Sequence, residues 1–391
     1  MIELITPLTF YSPKILFGQN TFSAIPAEIK NFGDTVLVVT GKTAMRKAGI
    51  TERLEQLLTQ ENITYYLLET VDPEPTIEHI EKILAFLRDH KVNLVIALGG
   101  GSVIDVAKAA AGIYGHISEE EITLREFIGH NITIPGIPCI AIPTTAGTGA
   151  EVTKNSVIID KQAKIKRSIF RSPLMIPKVA IIDPILTVFM PPKITASSGM
   201  DALTQAIEAY VTRKANPFSE FLAIKAIEIL GANLQKAVED GSNIEIREKI
   251  AYGSLISGLA FANSSPGAVH GLAHPLGVLF NAPHGVVCAI LLPYVMEFNK
   301  NEKTHKFAEI GRVLYQSKDI SSKSYSKLIE FGIDFIRNLV KIVHLPTKLS
   351  EIGVTKEDIA IIVNDASGSS LNNNPRKAGP EELTKLLQNA L

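Results

Sequence analysis

Residues 94–113, LVIALGGGSVIDVAKAAAGI, decide how the first half of this chain folds. Leu94 to Leu98 is a short, unbroken apolar run, the pattern of a strand covered on both faces. It runs straight into Gly99-Gly100-Gly101-Ser102 and then into a helical pattern from Val103 to about Ile113. Three glycines let the backbone come close to a bound group. The helix that follows offers unpaired N–H groups and the positive end of its dipole. Strand, glycine turn and helix together make a cradle for a phosphate. The cradle is neither GxGxxG nor a Walker loop, and no Gly-Lys-Ser/Thr closes it, which argues against nucleotide hydrolysis.

Outward from this unit the pattern repeats. Strands are expected at Thr35–Thr40, Thr64–Leu68, Ile137–Ile142, Val157–Ile159 and Val179–Ile182, with helices at Thr43–Leu58 and Ile77–Asp89 between them. Alternation of this kind predicts right-handed βαβ units on a parallel sheet. A second loop dense in small hydroxyl residues, Pro143-Thr144-Thr145-Ala146-Gly147-Thr148-Gly149-Ala150-Glu151, also follows a strand. Two such loops at neighbouring strand ends would form a dinucleotide crevice. After Asp183-Pro184 the character changes, and from Ala196 onward the patterns are almost all helical. The expected fold is an α/β dinucleotide-binding domain with a parallel sheet, residues 1–187, followed by an all-helical bundle, residues 188–391.

Composition narrows the function. With 391 residues, 46% of them hydrophobic and 20% charged, the chain can bury sizeable cores. A formal charge of -1 gives no basic field for nucleic acid, and no apolar run reaches the roughly 18 residues of a membrane span. The N-terminus lacks the form of a secretory signal, so a cytoplasmic enzyme is expected. Cys139 and Cys288, the only two cysteines, read as small core residues.

The helical half carries a histidine cluster. In Val269–His284, VHGLAHPLGVLFNAPH, three of the nine histidines fall close together. His270 and His274 are four apart and share one helix face, while Pro275 and Gly277 are expected to break or kink that helix. His284 follows Pro283 at the end of an irregular segment. Clustered imidazoles are common transition-metal ligands. Asp201 and Gln205 are again four apart, on a helix expected to start near Ser198; Asp201 could also be an ordinary carboxylate near a helix start.

These motifs resemble the iron-containing (group III) alcohol dehydrogenase family over nearly the whole chain. The matching stretches are GGGSVIDVAK (99–108), PTTAGTGAEVT (143–153), PKVAIIDP (177–184), PPKITASSGMDALTQAIEAY (191–210) and HGLAHPLG with NAPHG (270–285). The resemblance implies NAD(P) on the first domain, a divalent metal on the second, and hydride transfer between a small primary alcohol and its aldehyde in the cleft. It also implies metal ligands at Asp201, Gln205, His270 and His284, with His274 beside the nicotinamide and substrate. Cofactor contacts are implied at Gly41, Gly99, Gly100, Gly101, Ser102, Asp105, Thr144, Thr145 and Thr148, and at Lys166 or Arg167, which spacing does not separate. Phe261 falls where relatives carry an aromatic pocket wall, and a homodimer is common among them.

The chain departs from the family at two places. Four-ligand members have histidine where this chain has Gln205, a neutral and weaker donor. Iron and zinc both remain in view, with metal held more loosely. Members that prefer NAD carry Asp at the position of Gly41; here Lys42, Arg46 and Lys47 follow it, which favours NADP(H) over NAD(H). A metal-free reductase acting on maleylacetate and a dehydroquinate-synthase-like lyase share the architecture and stand as alternatives. The pocket is expected to be apolar, and His274 to relay a proton because imidazole titrates near neutral pH.

Overall fold

The structure is a computed structural model that describes residues 8–117, 123–163, 165–315, 324–366 and 369–391. Six strands form one sheet: β1 (Lys14–Phe17), β2 (Thr35–Gly41), β3 (Thr64–Val71), β4 (Leu94–Gly99), β5 (Cys139–Pro143) and, last in the chain, β8 (Val179–Ile182). Their spatial order is β1-β8-β5-β4-β2-β3, and every pairing is parallel. Val95, Ile96, Ala97 and Leu98 of β4 are fully buried, as a central strand with helices on both faces requires. From β3 the chain returns across β2 to lay down β4 on its other side. The sheet therefore reverses its order between β2 and β4, the kind of place where open α/β sheets bind ligands.

Two strands escaped the sequence reading, and one was put in the wrong sheet. β1 is a four-residue edge strand, too short for a pattern to show, and it pairs with β8. Val157–Ile159 does form a strand, β6 (Asn155–Asp160), but it leaves the main sheet to pair antiparallel with β7 (Ile165–Arg171). Only a short turn separates β6 from β7, and a parallel pairing would need a long crossover. The Ser156 hydroxyl donates to Asp105 O at 2.8 Å and the Val157 N–H donates to Asp105 Oδ2 at 3.0 Å, pinning this hairpin to the helix Gly101–Ile117. The helix expected at Thr43–Leu58 is two, Ala44–Lys47 and Ile50–Gln60, separated at Gly49 with φ of 71°.

From Pro192 onward the chain is helical, as expected. The helices Pro192–Val211, Pro217–Glu239 and Ile244–Ala262 pack on one another around Met200, Leu203, Ile227 and Leu230, none of them exposed. Two helix boundaries differ from the sequence reading. The helix expected from Ser198 starts at Pro192, where proline suits the first turn, so Asp201 sits mid-helix and is no terminal carboxylate. The helix Ala268–Leu279 runs through Pro275 instead of ending there. His284 opens the next helix, His284–Asn299.

Candidate active site

A cleft of about 210 Å³ lies between the strand ends and the helical half. On one side the C-terminal ends of β2, β4 and β5 lie in a row and carry Gly41, Gly99 and Thr144 at or just past their ends. The two glycine-containing loops touch: the Thr144 N–H donates to Gly99 O at 3.0 Å. A Cβ on Gly100 would meet Thr145 at 3.3 Å, and one on Gly101 would lie 2.5 Å from Thr148 Oγ1. A side chain at Gly101 would force Thr148 to shift, so the glycine lets the two loops approach closely. Gly101, Ser102 and Thr148 line the cleft, with the N-terminus of the helix Gly101–Ile117 behind them. Thr144 is buried behind this surface.

Asp105 also borders the cleft, but both of its oxygens are taken, by Lys108 Nζ at 2.9 Å and the Val157 N–H. Lys108, 1% exposed, further donates to Ala150 O at 2.8 Å and Thr153 Oγ1 at 2.9 Å. This buried ammonium is fully partnered and ties the first loop's helix to the second loop, a task the sequence reading did not foresee. On the hairpin, Lys166 lines the cleft and pairs with Glu74 at 2.7 Å. The Arg167 side chain lies outside the described residues. Near Gly41, Lys42 pairs with Asp72 at 2.7 Å, and Arg46 is held by Glu52, Glu55 and Glu69.

On the other side three helices bring charged side chains together. Asp201, Gln205 and Glu208 lie at i, i+4 and i+7 on one face of the helix Pro192–Val211, and each is 3% exposed. His270 Nδ1 meets Glu208 Oε2 at 2.6 Å, while Glu208 Oε1 accepts the Val269 N–H at 2.7 Å. Glu208 therefore caps the helix Ala268–Leu279 and turns His270 Nε2 toward Asp201 Oδ1, 3.6 Å away. A Cβ on Gly285 would lie 2.2 Å from Ser197 O, so this glycine lets two helices meet and sets His284 Nε2 3.7 Å from Asp201 Oδ1. Neither Glu208 nor Gly285 was singled out from sequence. Glu208 shares the face of Asp201 and Gln205, which was the available signal.

Asp201 Oδ1, Gln205 Oε1 and His270 Nε2 are buried with no hydrogen-bond partner. Orphaned polar atoms are costly, and Asp201 Oδ1 facing His270 Nε2 suits a bound cation. One donor atom each from Asp201, His270, His284 and Cys288 lies within 4.8 Å of the others. Two imidazoles, a carboxylate and a thiol form a donor set for a divalent transition metal.

Without a metal, the neighbouring carboxylates treat the two imidazoles differently. Burial pulls the His270 imidazole down, but Glu208 and Asp201 outweigh it and raise its pKa to about 10. Burial works against the Asp201 carboxylate, yet the neighbouring His270 and His284 imidazoles keep it below its ordinary value. Burial, only partly offset by Asp201, takes His284 down to about 4, which leaves it neutral and able to ligate.

His274 stacks 5.6 Å from the His284 ring with its Nδ1 unpartnered. Burial, with His284, His270 and Lys166 nearby, pushes its pKa well below the ordinary value. That direction runs against the expected titration near neutral pH and favours a neutral imidazole at His274.

Phe261, Ala262 and Pro266 give the cleft an apolar wall, and the Phe261 ring packs 5.3 Å from His270. The pocket is nevertheless less apolar than expected. Lys154 and Arg171 from the hairpin line it too, and Lys154 Nζ sits 4.6 Å over the Tyr11 ring.

A crevice between two glycine-containing loops that opens onto a buried carboxylate–imidazole cluster fits an enzyme that binds a nucleotide and a divalent metal. Comparison with known proteins narrows this to a family. Residues 12–184 match the iron-containing alcohol dehydrogenase model, and residues 195–391 match that of the C-terminal part of the Fe-containing alcohol dehydrogenase family. The chain is similar to the lactaldehyde reductase of Escherichia coli K12, 36% identical over 377 residues that cover 96% of this chain and 97% of that protein. It is also similar to an NADPH-dependent butanol dehydrogenase of Clostridium saccharobutylicum, at 33% identity over 96% of this chain and 95% of that one. An NAD-dependent methanol dehydrogenase of Bacillus methanolicus matches at 30%, over 98% and 99%. The crystal structure of a 1,3-propanediol oxidoreductase superposes with a TM-score of 0.93 at 33% identity, over 99% of this chain and all of that one. The chain belongs to the iron-containing alcohol dehydrogenase family. It is an oxidoreductase that uses a nicotinamide cofactor and a divalent metal to interconvert alcohols and aldehydes.

Proposed function

We propose that residues 1–187 hold NADP(H) and residues 188–391 hold the metal, and that a small primary alcohol or aldehyde reacts between them. The observation that carries this reading is the convergence of the unpartnered buried Asp201 Oδ1 with His270 Nε2 and His284 Nε2, 3.6 and 3.7 Å away, at the mouth of the glycine-loop crevice. Asp201, His270 and His284 are assigned as metal ligands, and Gln205 as a weak neutral donor. Gly101, Ser102 and Thr148 receive the pyrophosphate through backbone N–H groups and hydroxyls. When bound, the metal supplies a Lewis acid for the substrate oxygen and the nicotinamide exchanges the hydride.

The chain's own residues do the positioning. Glu208 holds His270 in the tautomer that presents Nε2 to the cluster. Phe261, Ala262 and Pro266 exclude water from the reacting carbon. His274 offers neutral Nδ1 as a hydrogen-bond acceptor for the substrate hydroxyl proton. Lys166, on the inner face of the hairpin, is assigned to the cofactor ribose in preference to Arg167.

The preference for NADP(H) is supported by Gly41, which brings no carboxylate and whose Cβ position is open apart from Val71 O at 3.6 Å. Lys47 is exposed nearby, while Lys42 is exposed but paired with Asp72. Arg46, already saturated by three carboxylates, lends no support. A homodimer in the cytoplasm belongs to the same reading; the exposed Phe10, Phe218 and Phe221 offer an apolar face for it. No helix among the described residues is long and apolar enough to cross a membrane.

Elemental analysis of the purified protein, run beside an aldehyde screen with NADPH and with NADH, tests the proposal. The expected result is about one iron or zinc per chain and reduction that is faster with NADPH. Full activity after exhaustive chelation, with no metal left, would sink the metal assignment. Equal or better use of NADH would sink the cofactor preference.

A further inference from the structure

Gln205 is where the family pattern leaves a gap, and it is oriented by what surrounds it. The Thr148 carbonyl can only accept, so the Gln205 atom 3.2 Å from it is Nε2, which also lies 3.4 Å from Asp201 Oδ2. Gln205 therefore donates to the carboxylate and occupies its Oδ2. Asp201 Oδ1 stays unpartnered and faces His270 Nε2 and His284 Nε2 at 3.6 and 3.7 Å. Those spacings match the edges of a tetrahedral site, roughly 3.3–3.8 Å for ordinary zinc–ligand bonds.

Cys288 sits one turn after His284 on the same helix, fully buried, with Sγ 3.6 Å from His284 Nε2. Its thiol belongs to the same group of donor atoms as Asp201, His270 and His284. The other cysteine, Cys139, stands at the start of β5 with no such neighbours. We infer that Cys288, in place of the weak donor Gln205, supplies the fourth protein donor, giving a carboxylate, two imidazoles and a thiolate. This inference rests on the metal reading above and makes it more specific. Binding exchanges the S–H bond for a sulfur–metal bond, and the proton leaves to solvent. The soft thiolate shifts the site from iron toward zinc. The shared position of Gln205 and Cys288 around Asp201 also explains how the chain works without a histidine at 205: the amide orients the carboxylate, and the sulfur fills the shell.

The test uses the full chain stripped of metal and titrated with Co2+, followed by absorption spectroscopy and metal stoichiometry. Wild type should bind one cobalt per chain. It should show visible d–d bands together with an intense near-ultraviolet sulfur-to-cobalt charge-transfer band. Cys288→Ser should keep the d–d bands and lose the charge-transfer band, and its zinc-over-iron preference in competition should fall by about tenfold. Cys139→Ser should keep the whole spectrum. Cobalt bound by wild type without the near-ultraviolet band overturns the inference while leaving the metal site standing. A band that survives in Cys288→Ser overturns it as well. Failure of wild type to bind any cobalt overturns the metal reading and this inference together. Should Cys288→Ser not fold, as judged by circular dichroism, the wild-type spectrum alone decides.

Discussion

The two walls of the cleft are built from different material. On the side proposed for the nucleotide the wall is backbone and hydroxyls: Gly101, Ser102, Thr148 and a helix N-terminus, with the loops held together by contacts as close as a missing Cβ allows. On the metal side it meets charged and imidazole side chains from three helices, each fixed by another side chain, as Glu208 fixes His270. A wall of backbone needs room, so it fails by overcrowding. A wall of side chains needs partners, so it fails by deletion. The metal wall also concentrates the electrostatic cost, since its donors are buried and unpartnered.

Deletion on the metal wall should have the largest effect. Asp201→Ala removes the carboxylate that both imidazoles face; metal content should fall close to zero and kcat/KM by about a thousandfold. Plasma emission analysis and steady-state kinetics check this, and retention of metal would break the contrast between the walls. Glu208→Gln keeps the shape but takes away the charge behind His270. Metal affinity should weaken by about 10- to 100-fold, and in the metal-free protein NMR should show the His270 pKa fall below about 10.

On the nucleotide wall the change that matters is addition. Gly101→Ala places a methyl against Thr148 and should raise KM for the nicotinamide cofactor by about tenfold, with a stability loss of about 1–3 kcal/mol. Metal content should not change, and a loss of metal would show that the walls are not independent.

The smallest effect on catalysis belongs to Glu151, the last residue of the second loop. Burial pushes its carboxyl up to about 7 from 4.5. An acid raised in the fold contributes stability that is complete below 4.5 and is lost as pH climbs through 7. Glu151→Gln should flatten the fall in unfolding free energy over that window, by no more than about 3 kcal/mol, as read by denaturant melts at several pH values.

Much of both walls could be read directly from the chain, for different reasons. The glycine cradle is local: a buried strand, three glycines and a helix are neighbours in sequence, so their chemistry is visible there. The histidines were visible as a cluster, but their roles came from a family pattern, and the pattern had nothing to say about position 288. Cys288 read as a small core residue because in sequence its neighbours are apolar. In space its neighbours are Asp201 and His284. The hairpin was misassigned because Ile165–Arg171 is rich in basic residues and short turns leave no helical spacer to count.

By itself the sequence determined the parallel sheet, the two loops at its strand ends, the helical second half and the residue types able to bind a metal. These follow from periodicity, glycine and residue chemistry, all of which act over a few neighbours along the chain. Tertiary structure alone decided which donors meet. Asp201, His270 and Cys288 are brought together across 88 positions of sequence by helix packing, and the tautomer of His270, the orientation of Gln205 and the neutrality of His274 all follow from that contact. Hydrogen bonds and pKa shifts depend on distance in space, and no spacing along a chain encodes that distance once three separate helices are involved.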